Sequence, residues 1–143
     1  MSNKIEDLDP EFRKRLMDFI AKMAAEGIPV AVVSTLRTLE EQQAQWFKGR
    51  DKTGKVIDPK AVVTQCDGII KRSKHQDGLA ADVTFAYANG KPYWPDEDTV
   101  DGSTRWLAWA MIVESCNLVS GARFTPLNQY GVGWDPDHVE MPA

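Results

Sequence analysis

The sequence predicts an α+β fold in which three helices pack against a few short strands, within one domain spanning residues 1–143. Three observations predict it. Apolar residues recur at spacings of three and four near 10–26 and 103–116. A β-branched run fills 28–34, and 79–85 alternates between two faces. The length of 143 residues suffices to bury one core.

The first helix opens at Asp9-Pro10, an N-cap followed by proline at the first helical position. Phe12, Leu16, Phe19, Ile20 and Met23 form its apolar stripe, and Gly27 supplies a left-handed stop. Ile28–Ser34 is short, apolar and β-branched, which predicts a buried strand. Thr38 and Glu41 have capping-box spacing for a second helix that carries Gln42, Gln43, Trp46 and Phe47 and stops at Gly49. Arg37 therefore stands where a strand hands over to a helix, a place from which side chains often reach a cleft.

Residues 49–72 are irregular, with an exposed turn at 50–55 and a short strand expected at Val62–Thr64. A connection of that length is either a substrate-binding flap or an extended surface loop. Leu79–Phe85 reads as a strand, with Ala81, Val83 and Phe85 toward the core and Ala80, Asp82 and Thr84 on the other face. Asn89-Gly90 signals a turn and 92–98 a surface loop. A third helix begins at Ser103 or Thr104, its stripe formed by Trp106, Leu107, Ala110, Ile112, Val113 and Cys116. Gly121, Gly131 and Gly133 punctuate a turn-rich passage beyond it.

A net charge of −4 argues against nucleic acid or an anionic membrane surface as partner. No apolar run approaches the roughly 20 residues needed to span a bilayer, and the polar N-terminus is not a secretory signal. The expectation is a monomer without stable membrane association. Lys71, Arg72 and Lys74 form a basic cluster, read as a solvated loop or as a guide for anionic substrate. Cys66 and Cys116 have no metal-ribbon spacing and are expected as free thiols.

The chemistry concentrates in two segments, Ser73–Asp82 and Asp135–Glu140, which hold the only two histidines, each beside carboxylates. Imidazole nitrogen and carboxylate oxygen are the ligands of a catalytic zinc whose fourth position is left for water. His75 precedes Gly78, which allows a turn, and Asp82 lies on the strand after it, so both can face one ion. Small Ala80 leaves room, and His138 supplies a third ligand from a separate strand on which Val139 and Met141 face inward. Asp135, Asp137 and Glu140 are the candidate general bases for the attacking water. Arg37 is the cation best placed to meet charge developing on a carbonyl. Singly, a histidine is more often a surface or core residue, Arg37 an ion-pair partner, and Trp134 a core or rim residue rather than a substrate platform. Both histidines sharing one pattern of neighbours shifts the balance toward a metal site.

Ser73 to Asp82 fits the S-x-H-x-x-G-x-A-x-D signature and resembles the zinc D-alanyl-D-alanine and L-alanyl-D-glutamate peptidases, of hedgehog/DD-peptidase-like fold. Asp135-x-x-His138-x-Glu140 is similar to that family's second motif, and Ser34–Thr38 with Glu40-Glu41-Gln42 to its arginine motif. The resemblance implies a small antiparallel sheet carrying zinc, with helices packed behind it. It implies His75, Asp82 and His138 as zinc ligands, Asp135 as catalytic acid/base, and Arg37 as oxyanion partner. Ser73 matches a residue that supports the site or contacts substrate. The chain departs from the phage members at Leu118–Phe124, which stands where they carry Trp-Gly-Gly, and in a longer loop before Asp135.

The expected function is hydrolysis of peptidoglycan stem peptides, as an L-alanyl-D-glutamate endopeptidase of the phage endolysin type. Such an enzyme would be made in the bacterial cytoplasm without a signal peptide and reach the wall after holin-type release. A D-alanyl-D-alanine carboxypeptidase or dipeptidase is the alternative within the family. A non-enzymatic zinc-containing binding module is the alternative from another class.

Overall fold

A computed structural model describes residues 1–143. The N-cap chemistry at Asp9 operates as expected: its carboxylate accepts from the Glu11 and Phe12 amides and starts α1, Pro10–Ala25. Phe12, Leu16, Phe19 and Met23 are buried on one side of α1, and Gly27 leaves the helix at φ +76°. Strand β1, Val30–Ser34, leads to α2, Leu39–Trp46, whose Thr38–Glu41 capping box is formed in both directions.

The central strand is β2, Ala80–Ala86. Along one edge it pairs antiparallel with β1, from Val30 opposite Phe85 to Ser34 opposite Asp82. Its other edge carries two short strands end to end, β3 (Pro92–Tyr93) beside Phe85 and Ala86, and β5 (His138–Glu140) beside Ala80–Asp82. Helix α3, Val100–Ser115, comes between them in sequence, and β4, Val119–Ser120, closes the antiparallel sheet against β5.

The core lies between one sheet face and α1 with α3. Ala81, Val83, Phe85 and Val139 from the sheet meet Phe12, Leu16 and Phe19 of α1 and Trp106, Trp109 and Val113 of α3. The Trp109 ring sits 4.8 Å from Phe19 and 4.6 Å from Phe85, so one indole joins all three layers. The opposite face of β2, which carries Asp82, is left for chemistry.

Several expectations are corrected. Strand β1 begins at Val30 and is half-buried, with Val33 exposed, because it is the sheet's edge; β-branched content signals a strand but not two covered faces. No strand forms at Val62–Thr64. The Thr64 carbonyl accepts from Arg50 Nη1, and residues 59–61 make a 3-10 turn instead. Helix α2 ends at Trp46, with Phe47 as its cap. Pro92–Tyr93 is a strand, because the turn at Asn89-Gly90 folds it back on Phe85. Helix α3 starts at Val100, where Thr99 Oγ1 accepts from the Gly102 amide. Its Gly102 lies so near Asp96 that a Cβ would stand 1.8 Å from the Asp96 carbonyl oxygen. Its buried stripe includes Trp109, while Leu107 and Ile112 are only partly buried. The turn-rich passage contains β4.

Candidate metal centre

The first histidine is placed by local backbone chemistry. Ser73 Oγ accepts from the His75 amide, and Gln76 Oε1 accepts from the Ser73 amide, which caps a 3-10 turn over Lys74–Asp77. Gly78 leaves that turn at φ +69°, a conformation glycine adopts without strain, and the chain enters β2 two residues later. His75 is thereby buried against the start of the sheet. The other two residues are set by strand register, since Asp82 and His138 are directly opposed across β2 and β5.

The tautomers follow from fixed partners. His75 Nδ1 donates to the Thr35 carbonyl at 3.1 Å, which leaves Nε2 as the free donor atom, 3.5 Å from Asp82 Oδ1. His138 Nε2 donates to Glu140 Oε1 at 2.8 Å, which turns Nδ1 inward, 3.6 Å from the same Asp82 oxygen. The other Asp82 oxygen accepts from Ser34 Oγ at 2.7 Å and faces Arg37 Nη2 at 3.7 Å. Ligand atoms of His75, Asp82 and His138 all lie within 4.8 Å of one another.

These distances fit a zinc ion. Tetrahedral ligands 2.0–2.2 Å from a common centre are about 3.3–3.6 Å apart, and Asp82 Oδ1 meets that spacing toward both imidazoles. Two nitrogens and one carboxylate oxygen suit zinc, and each has an outer partner that orients it. A second grouping, Asp82, Asp135 and Asp137, shares Asp82 but offers only carboxylates.

The charges around the cluster are strongly coupled. Burial works against ionisation of Asp82, but hydrogen bonds and charge from His138 and His75 hold its carboxyl below the usual range. Burial also opposes the charged form of His138, yet Asp82, Glu140 and Asp135 together raise it to about 10. Asp135, with Oδ2 3.8 Å from His138 Nδ1, is pushed up to about 8, chiefly by burial and further by Asp137 and Asp82. Asp137 is also raised, mainly by burial, and accepts from Trp94 Nε1 at 3.0 Å.

Arg37 reaches the cluster from the β1–α2 junction, as its position predicted. Its Nη1 donates to Gln42 Oε1 at 2.7 Å, and Gln42, fully buried, donates in turn to the Cys66 carbonyl. Burial lowers the Arg37 pKa from its ordinary value, and its Nε has no partner. The guanidinium is thus held by the scaffold with donor capacity to spare.

Arg37, Ser73, His75, Asp82, Asp135 and His138 all line one cleft of about 490 Å³. Residues 63–66, Phe124 and Trp134 line it as well. The Ser73 hydroxyl is engaged by the His75 amide. Glu140, one of three candidate bases, is committed to His138 and to Lys74 Nζ at 2.7 Å, so it orients a ligand. The alternation of His138 and Glu140 on one strand face was the signal for that pairing. Thr35 and Gln42 fall within the arginine motif, but their contacts with His75 and Arg37, and that of Trp94 with Asp137, had no sequence signal, because they depend on tertiary approach.

A family model described as VanY, D-alanyl-D-alanine carboxypeptidase, matches residues 5–113, which include Arg37, Ser73, His75 and Asp82. The chain belongs to the VanY family. It is a zinc metallopeptidase acting on peptidoglycan. Solved structures share the fold. A mutant of the vancomycin resistance D,D-pentapeptidase VanY from the VanB-type cassette, in complex with Zn(II), is 20% identical with TM-score 0.60, covering 94% of this chain and 72% of that one. The L-Ala D-Glu endopeptidase ChiX of Serratia marcescens is 18% identical with TM-score 0.58, over 96% and 83% of the two chains. The LD-carboxypeptidase LdcB is 20% identical with TM-score 0.61, over 99% and 63%. A comparison with curated proteins finds no match. His138 and Asp135 lie beyond the residues matched by the VanY model.

Proposed function

We propose that the chain is an L-alanyl-D-glutamate endopeptidase of peptidoglycan stem peptides, with His75, Asp82 and His138 as its zinc ligands. The observation that carries the ligand assignment is the convergence of two imidazole nitrogens, His75 Nε2 and His138 Nδ1, on Asp82 Oδ1 at zinc spacing. The endopeptidase reading is supported by the shape of the cleft. It shares Val63, Thr64, Gln65 and Trp134 with a second groove, which gives room to a substrate that extends beyond the cluster. A lytic role in phage release belongs to the same proposal and predicts lysis of Gram-negative cells with a permeabilised outer membrane.

Zinc held by His75, Asp82 and His138 would polarise a carbonyl and lower the pKa of a bound water to near neutral. Asp135, whose carboxylate lies 3.8 Å from His138 Nδ1, takes the proton of the attacking water and returns it to the leaving amine. Arg37 faces the carbonyl oxygen as negative charge develops there, its guanidinium already fixed by Gln42 and Asp82. Ser73 keeps the His75 turn in place.

The D-alanyl-D-alanine carboxypeptidase reading is favoured by the description of the matching family model. Mass spectrometry of digested peptidoglycan separates the two. Peptides beginning at D-glutamate support the proposal, loss of terminal D-alanine alone supports the second reading, and no product from zinc-loaded protein rejects both.

A further inference from the structure

The groove beyond Trp134 has a chemistry unlike the cleft it joins. It encloses about 670 Å³, within the roughly 300–1,000 Å³ of small-molecule sites. Val56, Pro59, Val62, Pro126 and Trp134 give it an apolar lining, and none of its lining residues is charged. Val56 and Trp134 are both substantially exposed, at 44% and 54%. The groove shares Val63, Thr64, Gln65 and Trp134 with the metal cleft, so one bound molecule can occupy both. Lys71 and Arg72 line the cleft but not the groove.

Trp134 is built as a fixed platform. Its Nε1 donates to the Thr125 carbonyl at 3.1 Å. Its ring lies 5.8 Å from Phe124, which lies 5.4 Å from His138, so an aromatic row runs from the metal cluster into the groove. An indole held this way offers a flat apolar face and little conformational entropy to lose.

We infer that this groove binds the glycan-proximal part of the substrate, the N-acetylmuramyl ring with its lactyl-alanyl link, stacked on Trp134. The inference rests on the endopeptidase reading for its orientation. A stem peptide is charged on one side of the L-alanyl-D-glutamate bond, where the glutamate and diamino-acid groups lie. On the other side, the lactyl amide, alanine and N-acetyl sugar are neutral. The basic rim matches the first half and the uncharged groove matches the second. The C–H face of a pyranose is apolar and pairs with an indole, and the polar residues of the lining, Thr64, Gln65 and Thr125, are neutral, as an acetamido substituent is.

Two measurements on the full zinc-loaded chain test this. In the first, kcat/KM is compared for a disaccharide-linked stem peptide and for the same peptide with an N-acetyl cap in place of sugar. The sugar-linked substrate is expected to lead by about tenfold, and Trp134→Ala to bring the ratio near one. A wild-type ratio of one, or an unchanged ratio in the variant, overturns the inference. In the second, saturation-transfer NMR with the N-acetylglucosaminyl-N-acetylmuramyl disaccharide, which has no scissile bond, is expected to show contact that Trp134→Ala removes. Should that variant not fold, Val56→Lys in the groove wall is expected to remove the same signal. No transfer to the wild type, or transfer undiminished in a folded variant, overturns the inference. Sugar contact without L-alanyl-D-glutamate cleavage instead rejects the endopeptidase reading and leaves the groove assignment standing.

Discussion

Replacing Glu140 by Gln removes a charge from the outer layer of the metal centre while keeping its shape. Glu140 receives the His138 Nε2 proton at 2.8 Å and holds Lys74 Nζ at 2.7 Å. Its pKa is lowered, against burial, by hydrogen bonds from His138 and Lys74, so the carboxylate is the form that does the orienting. A hydrogen bond to a charged group contributes about 1.5–3 kcal/mol, and a neutral one about 0.5–1.5 kcal/mol. The difference, about 1–1.5 kcal/mol, predicts zinc binding weakened roughly tenfold, at the lower edge of the effect of outer partners. Competition against a chromophoric chelator at constant pH measures it. Lys74→Met is expected to weaken binding in the same direction, and Lys74→Arg to retain it. Unchanged zinc affinity in Glu140→Gln would falsify the claim that this carboxylate sets the His138 ligand.

Further expectations concern the centre directly. His75→Ala should reduce zinc stoichiometry and abolish the zinc-dependent stabilisation, which for the wild type is about 2.7 kcal/mol at one hundred times the Kd; thermal melts with and without zinc show it. Asp135→Asn should keep its zinc yet lose about 10²–10⁴-fold in hydrolysis, read from product formation and metal content on one sample. Because His138 in the metal-free protein is raised to about 10, zinc must displace its proton at neutral pH. Affinity is therefore expected to rise with pH up to that value, with at least one proton released per zinc in calorimetry across buffers of different ionisation enthalpy. The sign for the metal-free fold is opposite: this group stabilises it fully below about 6.5 and no longer does above about 10. Gly121→Ala would place a Cβ 1.8 Å from the Asp135 carbonyl oxygen and 3.0 Å from His138 Cβ. Lower melting temperature, by about 1–3 kcal/mol of stability, and weaker zinc binding should appear together.

The parts of this fold legible in sequence are those fixed by local rules. The Asp9-Pro10 start, the Thr38–Glu41 box, the turn at Gly78 and the alternation of β2 each depend on residues within a few positions. The candidate ligands were legible because histidine is scarce in this chain and the signature is local. What remained hidden depends on distant partners. Pro92–Tyr93 becomes a strand only because Phe85 is there to pair with. Glu140 was indistinguishable from Asp135 and Asp137 as a base until Lys74, 66 residues earlier in the chain, was seen to hold it. Gln42, to which spacing within the arginine motif could assign no role, proves fully buried and accepts from Arg37.

The opposition of Asp82 and His138 across β2 and β5 has a consequence for how such enzymes diversify. A slip of one residue in that pairing would turn one of the two away from the ion, so the alignment of these strands tolerates no drift. In the interval between these strands β3, α3 and β4 are held by pairing and core packing, but the loops that join them answer to no such constraint, provided the chain returns to the same pairing. Loops in that interval, including the one that carries Trp134, can lengthen, shorten or be exchanged while the ion keeps its seat. New substrate preference is therefore accessible by grafting, and the first place to graft is between Thr125 and Trp134.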